Sequence, residues 1–104
     1  MNEIVNKIID WGNRKGIIEN GTVARQTEKL GEEVFELVRA IIDNDFDEFK
    51  NAIADCTVVL ILLAKMNNID FVENLEEVYE EINQREGVMK DGQFLREKKC
   101  LLVF

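Results

Sequence analysis

The sequence contains no histidine and no proline among its 104 residues. Without histidine there is no Ser–His–Asp triad, no imidazole general base and no His-ligated zinc. Without proline, and with apolar residues recurring at threes and fours, the chain reads as helices rather than as a sandwich or barrel. Cysteine is scarce. Cys56 and Cys100 stand in no metal-ligand spacing, which reads as two buried or free thiols in a reducing cytosol. Positive charge is also short, with 13 Lys and Arg against 21 Asp and Glu and a net charge of −8. Non-specific binding to a nucleic-acid backbone needs clustered Lys and Arg, so no nucleic-acid partner is expected. An acidic chain can still take a phosphorylated small molecule when divalent cations stand between the two sets of negative charge. Long apolar runs are missing as well. The longest, Val58 to Ala64, falls far short of the roughly 20 residues of a membrane span. The opening MNEIVNKIIDW carries acids and no long apolar core, so no signal peptide is expected. These absences together predict a soluble, cytoplasmic protein without a membrane partner.

What is present fits one domain, residues 1–104, with 46% apolar and 33% charged residues. Residues 2–14 read as a first helix with Ile4, Ile8 and Trp11 on one side. Gly16 and Gly21 bracket a loop. Thr22 is the expected N-cap of a second helix, 22–43, packed through Leu30, Val34, Leu37, Val38 and Ile41. After a turn at Asn44, Asp45 with Glu48 opens a third helix, 46–66, which Asn67 and Asn68 can end. Asp70 with Glu73 starts a fourth, 71–86, stopped by Gly87. Asp91-Gly92 between short apolar segments predicts a tight β-hairpin over 88–97, followed by a mixed tail ending Cys100-Leu-Leu-Val-Phe. Short connections imply an antiparallel four-helix bundle, an all-α fold. The third helix is apolar over most of its circumference from Ala52 to Ala64, which predicts that helices of a second copy cover it.

The acids are concentrated in KLGEEVFELVRAIIDNDFDEFKNAIAD, residues 29–55. Glu33 and Glu36 lie about 60° apart around a helix axis, with Lys29 on the same side. Asp55 stands in the run IADCTVVLILLAKM, where a carboxylate is costly unless a donor or cation satisfies it. Asn51, one turn earlier, offers an amide oxygen. Two helices aiming carboxylates inward form the usual bundle site for a divalent metal, and hard oxygen donors favour Mg²⁺ or Mn²⁺ over zinc. A solvated acidic face is the competing account of EKLGEEVFE. Its i,i+4 pairs, Glu28 with Glu32 and Glu32 with Glu36, are like-charged and weaken the helix. Asp43, Asp45 and Asp47 imitate an EF-hand, but Glu48 occupies the glycine position and Ala54 the bidentate glutamate position, so that reading fails.

Three segments in order carry a resemblance. Gln26-Thr-Glu-Lys-Leu-Gly-Glu-Glu-Val-Phe-Glu-Leu holds an EExxE motif in Glu32, Glu33 and Glu36; Ala52-Ile-Ala-Asp55-Cys-Thr-Val-Val-Leu resembles a second acidic segment; and Glu81 to Glu97 contains I-x-x-R-x-G-x-M-x-x-G-x-F. In these the chain resembles the MazG-like nucleotide pyrophosphohydrolases of the all-α NTP pyrophosphatase superfamily. Phe35 stands where that family commonly has glycine, and Ala52 where it commonly has the glutamate of ExxD. The resemblance implies hydrolysis of a (d)NTP to a (d)NMP and pyrophosphate with Mg²⁺. It implies Glu33, Glu36 and Asp55 as metal ligands, with Asn51 as a weaker one, and Glu32 as the residue that positions the attacking water or completes a second-metal site. Lys29, Arg85 and Lys90 would neutralise phosphate, and Trp11 could stack on a base, although a lone aromatic on a helix stripe is more often core. A homodimer or homotetramer is expected. The alternatives are a catalytically weak or inactive nucleotide- or metal-binding regulatory oligomer on the same fold, and a purely structural helical oligomer.

Overall fold

The computed structural model describes residues 2–97. Five helices run in order, α1 Asn2–Arg14, α2 Ile17–Asn20, α3 Val23–Ile42, α4 Phe46–Met66 and α5 Phe71–Ile82, followed by strands β1 Gly87–Lys90 and β2 Gln93–Arg96. The expected all-α fold with a small C-terminal hairpin is what the chain adopts. Two compact units are distinguished, one ending at Val72 and the other beginning at Glu73, inside the first turn of α5. The expected tail around Cys100 lies outside the described residues.

Local chemistry sets the helix limits in the first unit. Thr22 has extended backbone, φ −118° and ψ 150°, and its hydroxyl accepts the Arg25 N–H at 3.1 Å, which caps α3. Asp45 does the same for α4, its Oδ1 accepting the Glu48 N–H at 3.1 Å. Between them Asn44 takes the left-handed conformation, φ 59°, and the Asp45 N–H reaches back to the Ala40 carbonyl at 2.9 Å. That bond closes the α3 carbonyl end and reverses the chain. Asn68, φ 58°, terminates α4 in the same way, with the Ile69 N–H on the Ala64 carbonyl at 2.8 Å.

The reversal at Asn44 makes α3 and α4 a closely packed helical hairpin, and α1 and α2 lie against α4 as well. The core is small: Val5 of α1, Ala40 of α3, and Ala52, Val59, Ile61 and Leu62 of α4. Ile61 and Leu62 are each 2% exposed, a burial that contributes about 1.5–3 kcal/mol per side chain. Much apolar surface stays outside. Phe35, Ile41, Ile42 and Phe46 are all 60% exposed or more, and Ile53 and Leu60 of α4 nearly half. Among the described residues no single helix is long and apolar enough to cross a membrane.

Three expectations need correction. The stripe expected to pack α3 is largely outside, with Val34, Val38 and Ile41 43%, 47% and 60% exposed. The segment between Gly16 and Gly21 is not a plain loop but holds α2, entered through Gly16 at φ 78°. The helix expected over 71–86 stops at Ile82. Its last carbonyls are taken by tight turns, Gln84 N–H to Glu81 at 3.2 Å and Arg85 N–H to Ile82 at 3.1 Å. The Glu86 carbonyl already accepts the Glu97 N–H at 2.7 Å, extending the hairpin. In that hairpin Val88 faces Leu95 and Met89 faces Phe94. Asp91 and Gly92 both have positive φ, 52° and 80°, as a two-residue type I′ turn requires.

Gly12 is buried in α1, and a methyl group there would come within 2.6 Å of Leu62 Cδ2. Gly31 of α3 faces open space. The same Gly→Ala change therefore has opposite expected signs. Gly31→Ala should raise stability by about 0.5–1 kcal/mol through helix propensity. Gly12→Ala should lower it by about 1 kcal/mol or more, because overpacking against the immobilised Leu62 outweighs that gain. Urea midpoints of the two variants decide the matter.

Candidate active site

Residues of α3 one turn apart share a face: Arg25 and Gln26, then Lys29, then Glu32 and Glu33. This face lines a cleft of about 620 Å³. Across it stand Asp55, Val58, Val59 and Leu62 of α4, and Trp11 and Ile17 close the apolar end. The antiparallel hairpin explains the meeting. Glu33 and Asp55 are equidistant in sequence from Asn44, as are Glu36 and Ala52, so each pair comes to one level.

The decisive residue is Glu33. Its residue exposure is 5%, although its neighbour Glu32 keeps a side chain 67% exposed. Oε2 of Glu33 receives the Lys29 ammonium at 3.0 Å, and the same ammonium lies 3.9 Å from Glu32 Oε1. Oε1 of Glu33 is buried and has no hydrogen-bond partner. The hydrogen bond to Glu33 and then its charge, with smaller help from Glu32 and Glu36, hold the Lys29 pKa above its ordinary value against the opposing effect of burial. Lys29 is therefore a full cation at neutral pH.

Asp55 differs from expectation. Its surroundings in sequence are apolar, yet the residue is exposed at the cleft. The desolvation argument belongs to Glu33 instead. Glu36 and Asn51 are exposed and are not among the residues lining the cleft, although the charge of Glu36 is felt at Lys29 and at Cys56. Trp11 does line the cleft, 40% exposed rather than buried in the core. Arg85 and Lys90 belong to the second unit, where Arg85 is only 15% exposed and lies 3.6 Å from Glu81. Arg25, Gln26 and Ile17 were not foreseen. The first two were legible as the turn preceding Lys29 on one helix face. Ile17 was not, because its segment read as loop.

Among the described residues no three acidic or cysteine side chains converge closely enough, as placed, to hold a metal ion. The donor set nevertheless suits a hard divalent cation. It offers a buried carboxylate oxygen without a partner, flanked in one cleft by the carboxylates of Glu32 and Asp55.

The phosphoribosyl-ATP pyrophosphohydrolase family model matches residues 15–86, a span from α2 through α5 that includes the acidic helical hairpin. The chain belongs to this family. It thereby joins the all-α nucleotide pyrophosphohydrolases, and the polar half of the cleft lies inside the matched span. An uncharacterised 18.2 kDa protein from the rep–hol intergenic region of Haemophilus phage HP1 (strain HP1c1) is 36% identical over 72 residues. The alignment takes in 69% of this chain and 44% of the phage protein, so the chain spans under half the length of that relative. No solved structure matches.

Cys56, beside Asp55 on α4, is half-buried. Burial first, then the charges of Glu33, Asp55 and Glu36, push its thiol pKa above the usual value. Less thiolate forms at a given pH, so alkylation is slowed. In a Cys100→Ser background, Cys56 should react with iodoacetamide at pH 8 severalfold more slowly than glutathione does, as followed by intact-protein mass.

Proposed function

We propose that the chain is a MazG-like, Mg²⁺-dependent nucleoside triphosphate pyrophosphohydrolase that converts a (d)NTP to a (d)NMP and pyrophosphate. The observation that carries this reading is Glu33, a carboxylate withdrawn from water with one oxygen lacking a partner, at the wall of a cleft large enough for a nucleotide. Such an oxygen is expensive to keep unless a ligand completes it.

Glu33, Asp55 and Glu36, with Asn51 as a weaker donor, would hold Mg²⁺, with Mn²⁺ as a substitute. Bound there, the ion supplies neutralisation of the phosphate charge. Glu32, exposed at the cleft, orients a water toward the α-phosphorus and accepts its proton. The new bond joins the water oxygen to the α-phosphorus, and the bridge to the β-phosphate breaks to release pyrophosphate. Lys29, which lines the cleft as Arg25 does, faces the negative charge that builds on the phosphates. Arg85 and Lys90 join it in this reading through the resemblance alone. Trp11 offers a ring face to the base at the apolar end. The exposed apolar surface of α3 and α4, from Val34 and Phe35 to Ile41 and from Ile53 to Leu60, supports a homo-oligomer, dimer or tetramer.

One observation favours a second reading, a catalytically weak or inactive nucleotide- or metal-binding regulator. Ala52, level with Glu36, is 0% exposed and brings no carboxylate. A panel of canonical and modified dNTPs, with phosphoribosyl-ATP included, separates the two when pyrophosphate release is measured with Mg²⁺. The enzyme should release pyrophosphate from at least one of them; silence across the panel at high protein concentration removes the enzyme and leaves the regulator or a purely structural oligomer, which a thermal shift with Mg²⁺ and nucleotide then separates. With an active substrate, Glu33→Gln and Asp55→Asn should each lower kcat by about 100-fold or more, the cost of several kcal/mol of lost charge stabilisation. Full activity in either variant refutes the assignment of that residue.

A further inference from the structure

We propose that Lys29 is the resident counter-ion of Glu33 in the cleft, which a divalent cation must displace, and that a bound polyphosphate assists the exchange by receiving the lysine. This rests on the metal site proposed above and assigns Lys29 a role in its occupancy rather than in the chemical step alone.

The geometry sets up a competition. The ammonium touches Oε2 of Glu33 at 3.0 Å and stays within 3.9 Å of Glu32, whereas Oε1 of Glu33 is unpartnered. A divalent ion on Oε1 would stand a few ångströms from the ammonium. Like charges at such a separation, beside a carboxylate 7% exposed, repel appreciably. One of the two cations has to leave.

Lys29 is built to leave. Its side chain is 51% exposed, so the stem is free to turn outward, whereas Glu33 is fixed by burial. The pair also runs Lys to Glu along the helix, the weaker orientation for an i,i+4 pair. When the ammonium swings away it remains at the lip of the same cleft, close to Arg25 and Gln26 on the preceding turn. A phosphate oxygen there would give it a new partner. Metal and polyphosphate binding are then coupled, and each tightens the other by the same factor.

Mn²⁺ binding followed by electron paramagnetic resonance tests this without turnover. Lys29→Met should bind Mn²⁺ about tenfold tighter than the wild type, within the usual range of coupling between sites, because no ammonium opposes the ion. Lys29→Arg, which keeps the charge, should stay near the wild-type affinity. A nucleotide with a methylene bridge between its α and β phosphates should tighten Mn²⁺ binding more in the wild type than in Lys29→Met. Circular dichroism checks folding; if Lys29→Met does not fold, Lys29→Gln, which keeps a donor for Glu33, carries the same expectation. Equal or weaker Mn²⁺ binding in the neutral variant overturns the proposal and leaves the metal site standing. Failure of both wild type and variant to bind Mn²⁺ removes the metal site, and the proposal with it.

Discussion

A glutamate side chain held almost wholly out of water is the constraint on which the site depends. Glu33 sits where α3 meets α4, and one oxygen is satisfied only by Lys29, one turn earlier on its own helix. Everything around it serves that placement. The Asn44 reversal fixes which level of α4 comes alongside, the Thr22 and Asp45 caps fix where each helix starts, and Ala40 and Ala52 admit close approach of the two helices. A buried carboxylate left half-satisfied detracts from stability. Its retention in a core this small is intelligible if the group exists to bind something.

The hairpin of α3 and α4 could be read from the sequence because its signals are local. Thr22, Asp45, Asn44 and Asn68 each act within a few residues of themselves, and the structure places them as caps or left-handed turns. The Asp91-Gly92 turn is legible for the same reason. Failures arose where the outcome depends on distant chain. Asn83 to Glu86 contain nothing that forbids a helix, but Glu86 is drawn into pairing with Glu97, eleven positions on, and α5 ends early. The four residues of α2 are too few to show a period, and their helix is set by packing on α1 and α4.

The site was legible in its residue types but not in its burial. Sequence pattern draws attention to Asp55 because its neighbours are apolar, yet only Ala52, Val59, Ile61 and Leu62 of α4 are buried and Asp55 is exposed at the cleft. Glu33, embedded in a run of charges, looked like the more solvated of the two. Burial at one residue of a helix depends on what the facing helix presents at that level, and no single-helix pattern contains that information. The phosphoribosyl-ATP pyrophosphohydrolase family match covers both helices of this hairpin.

The contact between Gly12 and Leu62 bears on how this cleft can change. Trp11 is the residue immediately before Gly12, so the depth at which α1 seats on α4 also sets how far the indole stands from the opposite wall. The aperture at the apolar end is thus gauged by a missing side chain in the core rather than by the aromatic itself. Enlarging residue 12 would act as a shim, lifting the helix and its tryptophan together. A change in what that end of the cleft admits would begin at a residue outside its lining.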